Sequence, residues 1–331
     1  MHKKFNFIDF CSGIGAGRLG LEEVGFQCLA HSEINSDSEY TYETLYNDTN
    51  NLGDLTKVHV KDIPECDLLI AGFPCQTFSI VGKRAGFKDE RGQIIYYLSK
   101  ILKKKDIPYF IFENVKGLVN HDNGETLNQI VELLETQGYM VFNKVLNSID
   151  YGVPQLRERV YFVGIRKDLC YKPFLFPKPK QQVNIHKFLL KSNKTEQDLL
   201  HPTFQKYINN KYNKDRVNLK EILKKDYTII DTRQSDLRIY DNKCPTLRTG
   251  RHGILYVREG KLYKLSGIEA LLLQGFPKSL VLKASNISNT KLLAQAGNAM
   301  TVTTIKAIGE ELKKYIEERE YRFGSKRISN G

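Results

Sequence analysis

The run Asp9-Phe10-Cys11-Ser12-Gly13-Ile14-Gly15-Ala16-Gly17 decides the fold class of this chain. It follows a short apolar run at residues 5–10 and leads into a run of helical period that begins at Leu19. A strand that passes through glycines into a helix is the opening unit of a parallel α/β sheet. Glycines in such a turn let a ligand approach the backbone, and the helix N-terminus favours negative charge. The turn alone does not distinguish a structural turn, a nicotinamide-type site and an adenosyl-type site.

Strand-like and helix-like runs alternate through the first half of the chain. The runs with the composition of buried strands are 5–10, 27–31, 67–71 and 109–112, and helical runs lie at about 93–104 and 125–137. This alternation predicts an α/β fold with a doubly wound, mostly parallel sheet. Ligands of such sheets bind beyond the carboxyl ends of the strands. The chemically distinctive runs at those ends are 11–17, Glu33, 72–76 and 113–115. We expect them to line one crevice.

The sequence changes character after Phe174. The segment Phe176-Pro177-Lys178-Pro179-Lys180 is typical of a linker, and the stretch that follows is rich in Lys and Asn. Short β-like runs alternate with polar turns over 227–263, and an amphipathic helix is predicted at 305–316 before a charged tail that we expect to fray from Glu317. The predicted domains are a catalytic and cofactor-binding domain (1–187 plus 290–331), a smaller, mainly β domain (188–270) and a hinge segment (271–289).

Composition excludes several classes of protein. About two-fifths of the 331 residues are apolar, enough for a substantial core. The first ten residues are too short and charged for a signal peptide, and no apolar run reaches transmembrane length. The six cysteines form no CxxC pair or zinc-type cluster with histidines: Cys11, Cys28, Cys66, Cys75, Cys170 and Cys244. We therefore expect a cytoplasmic protein with reduced cysteines, no metal and no membrane association.

The positive charge is concentrated in the second half of the chain. The formal net charge is +12, and residues 178–264 contain 20 Lys and Arg against 9 Asp and Glu. A phosphate-binding face would have this character, because neutralised phosphates release counterions and so favour binding. A solvated, Lys- and Asn-rich surface would also have it. Charge alone leaves both interpretations open.

The run Gly72-Phe73-Pro74-Cys75-Gln76 places a thiol directly after a proline at the end of a predicted buried strand. A single cysteine is usually an inert part of the core. Two neighbours argue otherwise here. The loop at 79–92 carries three Gly and four Lys or Arg, which suits closure over a polyanion, and Glu113-Asn114-Val115 follows another strand. A polar run at 150–159, which ends in Gln155-Leu156-Arg157-Glu158-Arg159, lies beyond it.

Taken in order, these runs resemble the motifs of the DNA (cytosine-5)-methyltransferases, close to the small bacterial restriction-modification members. The matching runs are the turn at 9–17, GFPCQ with the following TFS, ENV at 113–115, QLRER at 155–159, QGFP at 274–277 and QAGNA at 295–299. The resemblance spans about residues 5–310. It implies a Rossmann-like, S-adenosylmethionine-dependent methyltransferase fold whose smaller domain recognises the DNA target. S-adenosyl-L-homocysteine would be the product.

The resemblance also implies a set of catalytic residues. Cys75 would add to C6 of the cytosine, which makes C5 nucleophilic enough to accept a methyl group. Glu113 would stabilise the ring near N3 and the 4-amino group. Arg157 would orient the base through O2, and Arg159 would support the geometry of Glu113 and Arg157. No dedicated base for removal of the C5 proton is evident, so we expect an ordered water to take it.

A second set of residues would bind the cofactor. The turn residues are Phe10, Cys11, Ser12, Gly13, Ile14 and Gly15; Glu33 would bind the ribose; Ile34, Asp54 and Leu55 would surround the adenine; Pro74, Ile94, Asn298 and Ala299 would lie near the methionine part. Two positions depart from the family pattern. Cys11 stands where phenylalanine is usual, which puts the adenine contact in doubt, and Ala299 stands where serine is usual, which removes one hydroxyl.

A cytosine inside a duplex must be flipped out to reach such a crevice. The resemblance implies that Ser79, Lys83 and Arg84 contact phosphates beside the flipped nucleotide. In the smaller domain, Arg233 to Tyr240 resemble a recognition loop, although the loop is one residue longer than the pattern. Its Gln234 would fill the vacated space and Arg238 would read a guanine edge. Thr246 resembles a phosphate-contacting threonine.

The implied partner is double-stranded DNA, with a cognate restriction endonuclease acting separately, and we expect a monomer. Three alternatives remain open. An RNA (tRNA) cytosine-C5 methyltransferase shares the Pro-Cys nucleophile but has a very small recognition region, whereas this chain has a basic insert of roughly 80 residues. A nicotinamide-dependent oxidoreductase would leave GFPCQ, ENV and QLRER unexplained. A non-catalytic DNA-binding homologue would lack part of the motif set, and nothing is missing here.

Overall fold

A six-stranded sheet forms the centre of the larger part of the molecule, in a computed structural model that describes residues 4–74, 94–250 and 252–324. With strands numbered along the chain, its members are β1 (Asn6–Phe10), β2 (Gln27–Ser32), β3 (Leu68–Gly72), β4 (Tyr109–Val115), β5 (Tyr139–Asn147) and β7 (Glu158–Arg166). Their order is β2-β1-β3-β4-β7-β5, and β7 alone in this sheet runs against its neighbours. The predicted mostly parallel α/β sheet is confirmed.

Both faces of the sheet are buried, because successive side chains of a strand point to opposite faces. Along β4, Ile111 packs into the cluster on one face, and Phe110 and Phe112 pack into the cluster on the other. The helices of this part are α1 (Ala16–Glu22), α2 (Ser36–Tyr46), α3 (Ile94–Lys104), α4 (Gly117–Asn120), α5 (Glu125–Thr136), α10 (Asn289–Asn298) and α11 (Val302–Phe323). The sheet is therefore sandwiched between two apolar layers, as in a doubly wound fold.

A second, antiparallel sheet lies in the basic part of the chain. Its strands are β8 (Thr228–Asp231), β9 (Arg238–Asp241), β11 (Ile254–Arg258) and β12 (Lys261–Lys264), in the order β12-β11-β8-β9. Two short helices, α6 (Pro202–Ile208) and α7 (Leu219–Leu223), cover one face through Phe204 and Ile222. This sheet lies inside the predicted segment 188–270, whose boundaries stay a prediction.

The two parts are joined by backbone pairing and by a buried carboxylate. Strand β10 (Cys244–Pro245) pairs in parallel with β6 (Gln155–Leu156). Helix α8 (Gly267–Leu273), which is followed by α9 (Lys278–Val281), starts at a capping box between Ser266 and Glu269. The fully buried Glu269 accepts hydrogen bonds from Leu190 N, Tyr256 Oη, Asn193 Nδ2, Ser266 N and Ser266 Oγ. These donors compensate the loss of hydration of the carboxylate.

The prediction that the tail frays from Glu317 is wrong. Helix α11 continues to Phe323. Glu318 pairs with Lys172 and, at 2.7 Å, with Arg322, and the ring of Phe323 packs edge-on against Tyr171. These contacts hold the last turns against the body of the protein. Among the described residues, none of the helices combines the length and apolar character needed to span a bilayer.

Close packing in the large sheet leads to a stability prediction at Gly164, which lies opposite Phe110 in the ladder of β4 and β7. A Cβ at Gly164 would lie 1.8 Å from Cε1 of the Phe110 ring. We expect Gly164→Ala to lower the free energy of unfolding by about 3 kcal/mol, because a filled core accommodates an added methyl group only by moving side chains or backbone. The measurement is the urea unfolding midpoint.

The matched control for this prediction is Gly117→Ala. A Cβ there would meet nothing closer than Cγ2 of Val115, at 4.0 Å. Its unfolding midpoint should stay close to that of the unsubstituted protein. Equal midpoints for the two variants would show that the packing of Phe110 against Gly164 does not limit stability.

Candidate functional site

The glycine-rich turn and Glu33 meet at the carboxyl ends of β1 and β2. Oε2 of Glu33 accepts a hydrogen bond from the backbone N–H of Gly13 at 2.8 Å. Its Oε1 accepts from the N–H groups of Ile34, at 2.9 Å, and Asn35, at 2.8 Å. The carboxylate therefore fixes the turn after β1 and the segment after β2 in one arrangement, as the sequence predicts for this edge.

The turn itself requires unusual backbone geometry. Cys11, Gly13 and Gly15 have φ angles of 51°, 55° and 79°. At Gly15 a Cβ would lie 2.4 Å from the ring of Tyr46, whose hydroxyl donates to the Gly15 carbonyl at 2.7 Å, so only glycine fits. A Cβ at Gly13 would meet nothing within 4 Å. Backbone without side chains thus borders open space beside Glu33, which suits the close approach of a ligand.

The side chains predicted to contact the cofactor divide into buried and exposed groups. Phe10, Ile14 and Leu55 lie in the core, so their side chains serve packing. Burial raises the pKa of the Cys11 thiol to about 12, which keeps it protonated at neutral pH. Ile34 is 77% exposed although it is apolar, and it adjoins Glu33. An apolar side chain held at the surface beside a carboxylate offers a face that a flat ring can cover.

Asn51, which the sequence analysis missed, ties this edge to the segment that carries Asp54. Its Oδ1 accepts from the N–H groups of Glu33, at 3.1 Å, and Gly53, at 2.8 Å, and its Nδ2 donates to the Glu33 carbonyl at 2.9 Å. Oδ1 of Asp54 accepts from the hydroxyl of Thr56 at 2.7 Å, and this bond lowers the pKa of Asp54. The predicted adenine and ribose residues thus share one framework.

The other half of the crevice contains Glu113, at the end of β4. The register of the large sheet pairs Glu113 with Gly72 of β3, three residues before Cys75. Nε of Arg159 lies 3.1 Å from Oε1 of Glu113, and both side chains are largely buried. Among the described residues, no well-aligned hydrogen bond reaches Oε1. The carboxylate therefore retains capacity to bind a further donor.

Asn114 fixes the backbone in front of the predicted nucleophile. Its Nδ2 donates to the Phe73 carbonyl at 3.0 Å, and its Oδ1 accepts from the Val115 N–H at 2.8 Å. The ENV run therefore contains two structurally important residues, Glu113 and Asn114. The sequence alone did not indicate that Asn114 holds the neighbouring backbone in place. The predicted residues Cys75, Ser79, Lys83 and Arg84 lie outside the described residues.

Arg157 occupies a different place from the one its predicted role requires. Its guanidinium is 2% exposed and donates to the carbonyls of Leu247, at 3.1 Å, Gly297, at 3.2 Å, and Ala299, at 2.8 Å. Burial, together with the nearby charge of Arg159, lowers its pKa to about 9, so it is still a cation at neutral pH. The expectation that Arg157 orients a base does not fit a guanidinium held in this junction. Arg159 is the arginine beside Glu113.

Three of the distinctive runs meet around Arg157 in a buried polar network. Nε2 of Gln155 donates to the Leu273 carbonyl at 2.9 Å, and its Oε1 accepts from the Leu247 N–H at 3.1 Å. Gln274 donates to the Ala296 carbonyl at 2.5 Å. A Cβ at Gly297 would lie 2.3 Å from the backbone nitrogen of Thr249, so this glycine permits close contact between the two parts. The runs QLRER, QGFP and QAGNA are thus packed together against residues 247–249.

The exposed Asn298 and the buried Ala299 close α10. Gln295, one turn earlier, accepts from the Thr41 hydroxyl at 3.0 Å and donates to the Asp37 carbonyl at 2.8 Å. Both partners lie on α2, which begins after Glu33. Gln295 therefore links the Glu33 side of the crevice to the Asn298 side. Pro74 is exposed, and the half-buried Ile94 begins α3.

Two neighbouring cavities run from Arg159 towards the recognition loop. The first, about 560 Å³, is lined partly by Lys116, Arg159 and Thr246. The second, about 210 Å³, is lined partly by Gln234, Arg238 and Thr246. Leu156, Thr246 and Arg248 border both cavities. Arg248, which the sequence analysis did not single out, therefore stands between the active-site side and the recognition side.

Some of the predicted recognition residues are bonded within the protein, and others are free to contact a ligand. Arg233 forms a bidentate pair with Asp231 and donates to the Thr246 carbonyl at 2.7 Å, so it is engaged within the protein. The hydroxyl of Thr246 donates to the Leu156 carbonyl at 2.5 Å. Arg238 is exposed, and its Nε lies 3.4 Å from Oδ2 of Asp236. The half-exposed Gln234 and the exposed Arg238 border the smaller cavity and are placed to meet a ligand.

The junction leads to a stability prediction for Arg157→Lys. A lysine ammonium cannot reproduce a planar guanidinium that reaches three carbonyls at once. We expect a loss of about 3 kcal/mol of unfolding free energy, because buried acceptors are left unpaired. Thermal unfolding followed by circular dichroism measures the effect.

Arg159→Lys is the matched control, because it makes the same exchange two residues along, at a cavity wall. We expect it to cost no more than about 1 kcal/mol, because lysine keeps a positive charge beside Glu113 and leaves no buried carbonyl without a donor. If the two variants unfold at the same temperature, the hydrogen bonds of Arg157 are not the main contribution to the stability of the junction.

Comparison with known proteins identifies the family of this chain. The profile of the family described as C-5 cytosine-specific DNA methylase matches residues 5–314. The Type II methyltransferase M.BsuFI of Bacillus subtilis is 36% identical over 324 residues, which cover 94% of this chain and 73% of that protein. The Type II methyltransferase M.HaeII of Haemophilus aegyptius is 36% identical over 312 residues, which cover 92% of each chain.

The fold is also found among solved structures. The methyltransferase EhMeth of Entamoeba histolytica superposes with a TM-score of 0.67 at 17% identity, covering 96% of this chain and 99% of that one. Likeness at this identity concerns the fold alone, and it matches the central sheet described above. The family profile and the relatives at 36% identity show that this chain belongs to the family of C-5 cytosine-specific DNA methylases.

Proposed function

We propose that this protein transfers a methyl group from S-adenosylmethionine to C5 of a cytosine flipped out of a short, specific sequence in duplex DNA. The reaction passes through a covalent adduct of Cys75 with C6. The observation that carries the proposal is the pair of Glu113 and Arg159 beside the strand end that leads into Cys75. The backbone there is fixed by the bond from Asn114 to Phe73.

The chemistry requires a nucleophile and a stabiliser of negative charge. The Cys75 thiolate adds to C6, and the electron pair displaced from the C5–C6 bond makes C5 nucleophilic. When bound, S-adenosylmethionine supplies the methyl group as part of a sulfonium. After transfer the C5 proton leaves, the C6–S bond breaks and the thiolate is restored. Glu113 hydrogen-bonds the ring at N3 and the 4-amino group, where Oε1 has capacity for a donor.

We assign the two arginines the reverse of the roles that the resemblance implies. Arg159 lies beside Glu113 and borders the larger cavity, so it is the residue that orients the base through O2. Arg157 holds the domain junction and thereby the position of Arg159. An ordered water takes the C5 proton.

The cofactor fits the edge formed by β1 and β2. Open space borders the backbone at Gly13, and Glu33 stands beside it with the exposed Ile34 as an apolar face. Glu33 binds the ribose hydroxyls, and Ile34 and Asp54 flank the adenine. The methionine part extends past Pro74, Ile94 and Asn298. Cys11 replaces an aromatic contact with a small neutral thiol, and Ala299 leaves that end without a hydroxyl.

The substrate is duplex DNA bound along the two neighbouring cavities. Arg238 reads a guanine edge and Gln234 fills the space that the flipped base leaves. Thr246, Ser79, Lys83 and Arg84 contact phosphates. The separate antiparallel sheet and its excess of Lys and Arg support DNA rather than RNA as substrate. The Type II relatives support a role as the modification enzyme of a restriction-modification system. We propose that it acts as a monomer and that a cognate endonuclease acts separately.

Cys75→Ser tests the covalent step. We expect methylation of duplex DNA to fall by at least about 10³-fold, because a serine hydroxyl is a far weaker nucleophile at neutral pH. Affinity for S-adenosylmethionine, measured by calorimetry, should change by less than about twofold. Cys170→Ser, at a half-buried cysteine after β7, is the control and should keep its activity. Loss of both methylation and cofactor binding in Cys75→Ser would assign Cys75 a structural role instead.

Fluorinated cytosine provides a direct test of the adduct. With fluorine at C5 the proton cannot leave, so the C6–S bond stays closed. We expect a duplex that contains 5-fluorocytosine at the target to form a complex with the protein that survives denaturing electrophoresis, and Cys75→Ser to form none. Absence of a complex with the unsubstituted protein would contradict the covalent mechanism.

A further inference from the structure

Residues 233–238 of the recognition loop are held by a segment that lines neither of the two cavities described above. We call residues 207–216, the end of α6 and the turn after it, the bracket segment. Tyr207 donates its hydroxyl to the Gln234 carbonyl at 2.9 Å. Asn210 donates its side-chain N–H to the Ser235 carbonyl, also at 2.9 Å. The bracket segment therefore hydrogen-bonds to two successive carbonyls of the loop, those of Gln234 and Ser235.

Asn213 makes the largest number of hydrogen bonds between the bracket segment and its surroundings. Its side chain is fully buried. Nδ2 donates to the carbonyls of Tyr207, at 3.0 Å, and Ser235, at 3.2 Å. Oδ1 accepts from the N–H of Leu237 at 2.8 Å and from Arg216 at 3.3 Å. Each donor and lone pair of the amide is used, which neither an apolar side chain nor a carboxylate can reproduce.

Arg216 completes the bracket at the far end of the loop. It donates to the Leu237 carbonyl at 2.6 Å. The Leu237 side chain is fully buried in the apolar cluster that includes Phe204 of α6. An irregular loop lacks ladder partners for its backbone, and the bracket segment satisfies those groups instead. The loop thus has a defined conformation without DNA.

The bracket bonds go to the backbone of the loop and leave its reading side chains available. The carbonyls of residues 234, 235 and 237 and the N–H of residue 237 are used. Gln234 and Arg238 instead border the 210 Å³ cavity. On the other side, Arg233 anchors the loop through Asp231 and the Thr246 carbonyl. The backbone of the loop is held by the bracket segment and by Arg233, while the side chains of Gln234 and Arg238 face the cavity.

We propose that the bracket segment, through Asn213, sets the sequence specificity of methylation by holding the recognition loop in its reading conformation before DNA binds. The inference rests on the proposed function and deepens it. Asn213 is a positioning residue, because it is buried and reaches DNA only through the loop. A side chain discriminates between bases only when its backbone is held in place, and a preformed loop loses little entropy on binding.

The test compares Asn213→Ala with Asn209→Ala. Asn209 is an exposed asparagine of the same turn, and among the residues that the structure describes its side chain bonds only to Gln205 of its own helix. Each variant is incubated with S-adenosylmethionine and plasmid DNA that carries randomised eight-base-pair windows, and methylated cytosines are mapped by bisulfite sequencing. Windows methylated by the unsubstituted protein define its site, and windows that differ at one base define near-sites.

We expect Asn213→Ala to lower the ratio of methylation at sites to that at near-sites by about tenfold, mainly through KM for DNA. Affinity for S-adenosylmethionine should change by less than about twofold, which a general loss of folding would not allow. Tyr207→Phe removes one bracket bond and keeps the ring, so it should lower the ratio by about threefold. Asn209→Ala should leave the ratio unchanged.

An Asn213→Ala protein that binds the cofactor normally and shows the original ratio would overturn the inference. If Asn213→Ala does not fold, Tyr207→Phe decides, and an unchanged ratio there overturns it equally. Absence of any methylation of DNA by the unsubstituted protein would contradict the proposed function, and the inference with it. A defined site that survives in both variants contradicts the inference alone.

Discussion

The guanidinium of Arg157 is the contact on which the arrangement of the molecule depends. It donates to the Leu247 carbonyl in the recognition part and to the Gly297 and Ala299 carbonyls at the end of α10. A buried cation with three backbone acceptors is held in a fixed orientation. Two residues later the chain presents Arg159 to Glu113. One side chain and the glutamines around it therefore set the positions of the Glu113–Arg159 pair, of the end of α10 and of residues 247–249.

Side-chain amides fasten the irregular segments of this protein. Asn51 holds the cofactor edge, Asn114 the backbone before Cys75, Gln295 the contact between α2 and α10, and Asn213 the recognition loop. An amide both donates and accepts, so it can satisfy a carbonyl and an N–H that have no ladder partner. Some asparagines of the basic region therefore bind backbone groups inside the protein. A solvated, Lys- and Asn-rich surface does not fully explain the composition of that region.

The sequence predicts much of the fold but few of the hydrogen bonds and ion pairs that position the site residues. Strands β1 to β4 were predictable because they are short apolar runs buried on both faces, whereas β5 alternates buried and exposed residues irregularly and was not predicted. Motif spacing cannot tell Arg157 from Arg159, since only the fold shows which one meets Glu113. Asn213 gives no sequence signal, because the loop groups that it binds, the Ser235 carbonyl and the Leu237 N–H, lie 22 and 24 residues away along the chain. Helix α11 continues beyond its apolar pattern because Glu318 pairs with Lys172 outside the helix and with Arg322 within it.

The central claim is that the crevice at the ends of β1 to β4 methylates cytosine C5 in duplex DNA. The most direct measurement is the incubation of the protein with labelled S-adenosylmethionine and either duplex DNA or tRNA, followed by mass spectrometry of the nucleosides. We expect label in 5-methyl-2′-deoxycytidine from the duplex and none from tRNA. Label confined to tRNA, or a methyl group on another atom of the base, would contradict it.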